Sequence, residues 1–176
     1  MDPTAAVNLD LLPLGWVHFI ASLVALAVGG LVLVRTKGTA AHRRSGRVYL
    51  LAIVLTSMTA LIIYRLGVFF FPHWFAIAAL TVTGIGVGAA HFKKPRTGWT
   101  HLHLTCMLLS LYILIGGGVN ELFLRVGVLH RLVPDSNSPV LGMTHSAVMI
   151  VFAGLIAYFN STARMRSNGP VAAPAE

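Results

Sequence analysis

The chain reads as an all-α, polytopic membrane bundle of about five transmembrane helices, N-terminus outside and C-terminus cytoplasmic. Composition is the first observation behind this. Of 176 residues, 56% are hydrophobic and only 10% charged, whereas a soluble domain carries about a quarter charged residues. The second is that the apolar residues gather in five runs. Each is long enough to cross a hydrocarbon core of about 30 Å, which takes roughly twenty residues at about 1.5 Å each. The third is the distribution of lysine and arginine. With the N-terminus outside, ten of the thirteen bases fall on the inner side and only Arg65, Arg125 and Arg131 on the outer, as expected when basic residues resist translocation.

The five runs are placed at 12–34, 48–70, 74–91, 101–123 and 140–160. Between the first two, segment 35–47 carries Arg35, Lys37, Arg43, Arg44 and Arg47 and reads as a basic loop too charged for the bilayer. Phe71-Pro72, the stretch 93–98 with Pro95 and Gly98, and the stretch 134–139 with its two prolines separate the remaining runs. Residues 1–163 form one transmembrane domain, and 164–176, rich in Ala, Pro and Ser, reads as a disordered cytoplasmic tail. The first ten residues hold Asp2 and Asp10 but no base, so they lack the positive region of a signal peptide and are expected to stay as the leader of the first helix.

Net charge is +8, but the bases sit in short clusters between apolar runs. Their nearest partners are anionic headgroups on the cytoplasmic side of the bilayer, and nucleic acid is set aside. Cys106 is the single cysteine, so neither an internal disulfide nor a thiolate metal site can be built. No nucleophile elbow, phosphate-binding glycine loop or paired-aspartate motif is present, which leaves hydrolase and transferase chemistry without a foundation.

Eight histidines and Glu121 carry what chemistry there is. An ionisable group in hydrocarbon costs a few kcal/mol at the least unless it is paired, ligated or wet. Depth sorts them into two layers. His18, His73, Glu121, His130 and His145 lie toward the outer side, and His42, His91, His101 and His103 toward the inner. Residues eighteen apart share a helix face, about 27 Å from one another. His73 and His91 stand in that relation, as do His103 and Glu121. The stripe of the third helix also holds Gly84 and Gly88, and on the first helix His18 is followed at helical spacing by Ser22, Ala25 and Gly29. Small residues there permit close approach of a helix or of a flat ligand.

For His73, His101 and His130 the plainer reading is a hydrogen bond within the bundle or a seat at the headgroup boundary. The 84–88 glycine pattern is likewise a packing face before it is a cofactor slot. His18 and His145 lie within hydrocarbon depth on different helices, and there ligation or proton handling weighs equally with a plain hydrogen bond. Glu121 has Arg125 one turn further out as a pairing partner.

Two segments carry a family likeness. The string KGTAAHRRSGRVY (37–49), preceded by GWVH (15–18) on a helix, together with His103, Met107, Ser110, Tyr112, Glu121 and Arg125 on the fourth helix, resembles the bacterial membrane proteins catalogued as domain of unknown function 2306. The likeness spans helices one to four and leaves His145 and the doublet of His101 with His103 unmatched. It implies a multi-pass fold and marks His18, His42, His103 and Glu121, without implying a reaction.

Three functional classes stand open. One is an electron carrier holding haem b between facing histidines, His18 with His145 for an outer group and His91 with His103 for an inner one, exchanging electrons with a membrane redox partner or quinone. Another is a metal-handling protein in which His18, Glu121 and His145 form an N/O site suited to zinc, copper or iron. The third is an assembly or scaffold factor of the bacterial inner membrane, whose histidines only satisfy one another.

Overall fold

The computed structural model describes residues 13–63, 71–133 and 138–168, with side chains left out at 71, 124–125 and 164–168. Among them there are helices and no strand. They run α1 (Pro13–Val34), α2 (Ala40–Ile62), α3 (Phe71–Phe92), α4 (Trp99–Arg125), the single turn α5 (Gly127–His130) and α6 (Pro139–Asn168). All but α5 are long and apolar enough to cross a membrane, and the protein is a multi-pass helical bundle.

Several boundaries differ from the hydropathy reading, among them the end of α2, at Ile62 instead of 70. The basic segment 35–47 is mostly helix, because α2 starts at Ala40 and the loop shrinks to 35–39. Thr39 makes this possible. Its backbone is extended and its hydroxyl accepts the His42 amide at 3.1 Å, an N-cap that satisfies one of the four free donors of a helix start. Arg43, Arg44 and Arg47 then project from the first turns of α2 and are exposed, so the charge that argued against helix is carried outside hydrocarbon on long stems. At the other end of the chain, α6 continues to Asn168, past the expected tail boundary at 163, and the remainder of the tail falls outside the described residues. The separators Phe71-Pro72 and Pro139 open α3 and α6, where a missing N–H costs nothing.

Short connections make α1 and α2, and α3 and α4, antiparallel neighbours. The loops at 35–39 and 93–98 and the C-terminal end of α6 share one end of the bundle, called here the basic end. The α4–α5–α6 connection lies at the far end. Helix α4 is central, packing on α1, α3 and α6, while α2 packs on α1 and α3. Four helices supply the buried cluster of Ala25, Tyr49, Ala52, Ile53, Leu108, Leu111, Leu114 and Phe152.

Helix α3 joins differently, through a row of His73, Ala76, Ala79, Thr83, Gly86 and Ala89, all buried. The row advances mostly in steps of three, which slants around the helix instead of running parallel to its axis. That slant explains why Gly84 and His91 are exposed, although strict helical periodicity places them on one stripe with His73. The small-residue stripe of α1 holds, with Ala25 fully buried and Gly29 buried beside Tyr49 and Leu111.

Candidate functional site

Inside a bilayer no water competes for polar side chains, so each must find its partner on a neighbouring helix or leave a costly unsatisfied group. The histidines follow this rule one seam at a time. His18, on α1, directs Nδ1–H at α2, 3.0 Å from the Thr56 carbonyl and 3.0 Å from the Thr59 hydroxyl. Thr59 in turn donates to the Leu55 and Thr56 carbonyls at 2.7 and 2.9 Å. His103, on α4, donates from Nδ1 to the Gly86 carbonyl of α3 at 2.8 Å. His101, two residues earlier, points to α6 and donates from Nδ1 to Asn160 Oδ1 at 2.7 Å, while Asn160 Nδ2 returns to α4 and donates to Thr105 Oγ1 at 3.0 Å. His145, on α6, donates from Nε2 to Asn120 Oδ1 of α4 at 3.0 Å, its ring lying over Gly116.

These seams separate the residues expected to converge. His18 is held on α2 and His145 on α4, and among the described residues no three of His, Cys, Asp and Glu stand together as a metal site. The expected N/O set of His18, Glu121 and His145 is therefore not assembled. The physical reason is local economy: each histidine meets a threonine or asparagine on the helix it already packs against, and no cavity shared by three helices is required. Glu121 is exposed near the end of α4. The side chain of Arg125 lies outside the described residues, so their pairing does too.

The inner pair fares similarly. His103 is aimed at the backbone of Gly86, five residues before His91, while His91 is exposed and lies edge-on to Phe92 with ring centroids 4.8 Å apart. A Cβ built on Gly86 would stand 2.9 Å from Cys106 Cβ and 3.2 Å from Met107 Sδ, so α3 and α4 pack closely at this level. At the outer level, His145 Nε2 is committed to Asn120.

His42 lies within electrostatic range of Lys37, His103 and Arg43. His42 Nδ1 is buried and makes no hydrogen bond. His42 and His103 are both among the residues the family likeness marked.

Lys37 shows how the basic end is closed. Its ammonium donates to the carbonyls of Val32 at 2.8 Å and Leu33 at 2.7 Å, and sits 5.1 Å from the ring centroid of Phe159 on α6. It thus caps the exposed carbonyls of α1 and adds a cation–π contact to the last helix. Burial holds the ammonium below the usual lysine range. Deeper in, Tyr49 of α2 and Ser110 of α4 share a buried hydrogen bond of 2.8 Å.

Sequence reasoning gave no partner role to Thr56, Thr59, Asn120 and Asn160, on which the histidines depend, and named Ser110, the partner of Tyr49, only within the family likeness. The signal was present: each is a polar residue inside an apolar run, and such residues bond across helices in membranes. The chain matches no family model, no curated protein and no solved structure.

Proposed function

We propose that this chain is a membrane-embedded assembly or scaffold protein of the bacterial inner membrane, its basic end cytoplasmic, in which histidines serve as hydrogen-bond pins between helices. One observation carries the reading: His18, His101, His103 and His145 each commit a ring nitrogen to a group on an adjacent helix. Pins of this kind act singly. His18→Ala and His145→Ala should each lower stability in detergent by about 1 kcal/mol and combine additively. A ligating pair would lose its cofactor with either change. The purified protein is expected to show no reduced-minus-oxidised haem b band and no stoichiometric metal on elemental analysis. A haem band or one bound metal per chain refutes the scaffold reading. The ten-to-three distribution of bases supports the orientation, and a C-terminal reporter active only in the periplasm should stay silent.

A second reading, a histidine-ligated haem or transition-metal carrier, keeps one supporting observation. His42 Nδ1 is buried without a hydrogen bond, within electrostatic range of His103, whose own Nδ1 is tied to a backbone carbonyl. Tethering of that kind orients metal-binding imidazoles in general. On this reading the pair to mutate is His42 with His103, and the same spectrum and metal analysis decide it.

A further inference from the structure

From Leu11 to Asn120 there is not one Asp or Glu, so the arginines of the first loop and of the α2 start have no carboxylate nearby in sequence. Two of them meet at a crevice of about 300 Å³ between α1 and α2, lined by Val28, Leu31, Arg35, Arg44, Ser45 and Val48. The lining is divided by chemistry. Val28, Leu31 and Val48 lie on the hydrocarbon side, and Arg35, Arg44 and Ser45 lie toward the basic end. Arg35 is also held in place. One terminal nitrogen, Nη1, donates to Ser45 Oγ at 2.9 Å and to the Ala41 carbonyl at 3.3 Å, which orients the rest of a guanidinium fork that has five N–H donors in all. Arg44, one turn into α2, is exposed and borders the same crevice.

We propose that this crevice is a binding site for one anionic phospholipid, its phosphate between Arg35 and Arg44 and an acyl chain along Val28, Leu31 and Val48. The occupant follows from charge and depth together. Planar guanidinium groups match phosphate oxygens, the site opens where headgroups lie, and the apolar half of the lining faces the region that acyl chains fill. A soluble anion would leave that apolar half uncovered, and a zwitterionic lipid would bring its own cation to a site that already has two.

The test uses the full-length protein in nanodiscs or mixed micelles, with phosphatidylglycerol and phosphatidylcholine as probes. Lipid retention by native mass spectrometry and the midpoint of thermal unfolding are the two readouts. The wild-type protein should retain phosphatidylglycerol in preference to phosphatidylcholine, with a higher midpoint in its presence. Arg44→Gln should lower that preference about tenfold, the worth of one charge-assisted contact, and Arg35→Gln with Arg44→Gln should abolish it. Arg35 also braces α2, so the single Arg44→Gln variant separates lost binding from lost folding. Lys93→Gln with Lys94→Gln, at the same end but outside the crevice, should leave the preference intact. Three results overturn the proposal: no preference in the wild type, an equal loss in the Lys93/Lys94 variant, or stabilisation by inorganic phosphate that matches that of the lipid.

Discussion

The α3–α4 seam and the α4–α6 seam hold the same central helix by different means. Along α3 the contact is made by small residues, and at Gly86 the backbones meet so closely that a single added carbon would press on Cys106. Along α6 the contact is polar and aromatic: His145 with Asn120, Asn160 between His101 and Thr105, and the Tyr112 and Phe152 rings at 5.7 Å. Burial follows the same division. The apolar window of α6 is 11% buried, against 28% for α3. Within hydrocarbon, where lipid tails are as apolar as leucine, close packing and hydrogen bonding are the main forces left to join helices. The α3–α4 seam leans on close packing, with the His103–Gly86 hydrogen bond beside it, and the α4–α6 seam leans on hydrogen bonds and aromatic contact.

The largest expected effect breaks the packed seam. Gly86→Leu should separate α3 from α4 and destabilise the protein by about 3 kcal/mol or more, as severe overpacking does, measured by denaturation in detergent micelles. Gly84→Ala and Gly88→Ala, with open space at both positions, should change little. Equal losses at all three glycines would mean that the close contact at Gly86 is not what joins the helices.

A middle-sized effect should come from the polar seam. Asn160→Ala removes an acceptor from His101 and a donor from Thr105, and should cost about 1 kcal/mol, since interhelical hydrogen bonds in membranes average about 0.6 kcal/mol each. Amide hydrogen exchange should quicken in α6 and stay unchanged in α3. A uniform rise across the bundle would show the two seams to be one cooperative unit.

The smallest effect sharpens the contrast. Gly116 faces the His145 ring with room for a methyl group, the nearest ring atom lying 3.7 Å from the new carbon. Gly116→Ala should therefore be within about 0.5 kcal/mol of wild type, whereas a loss comparable to that at Gly86 would make the α6 seam as tightly packed as the α3 seam.

The five spans were legible because a bilayer demands long apolar helices and tolerates little else. What hydropathy misses is anything decided by a local cap or by helix phase. The start of α2 turns on Thr39, whose hydroxyl outweighs a charge pattern that reads as loop. Choosing Gly86 over Gly84 and Gly88 depends on the slant of the α3 row, and residue spacing supplies angular separation without saying which face meets a partner. Depth singled out His18 and His145 in the sequence. Their convergence was inferred from cost alone, and cost is equally met by Thr56, Thr59 and Asn120 on the nearest helix.

Lys37 ties the first loop to the last helix, and that has a bearing on biogenesis. Ribosomes deliver α1 and its loop to the bilayer long before α6 emerges, so the ammonium can cap the α1 carbonyls from the outset while its aromatic partner is still unmade. Docking of Phe159 is then the step that closes the chain on itself. A nascent protein halted before α6 would present a basic surface still lacking the aromatic ring that covers Lys37.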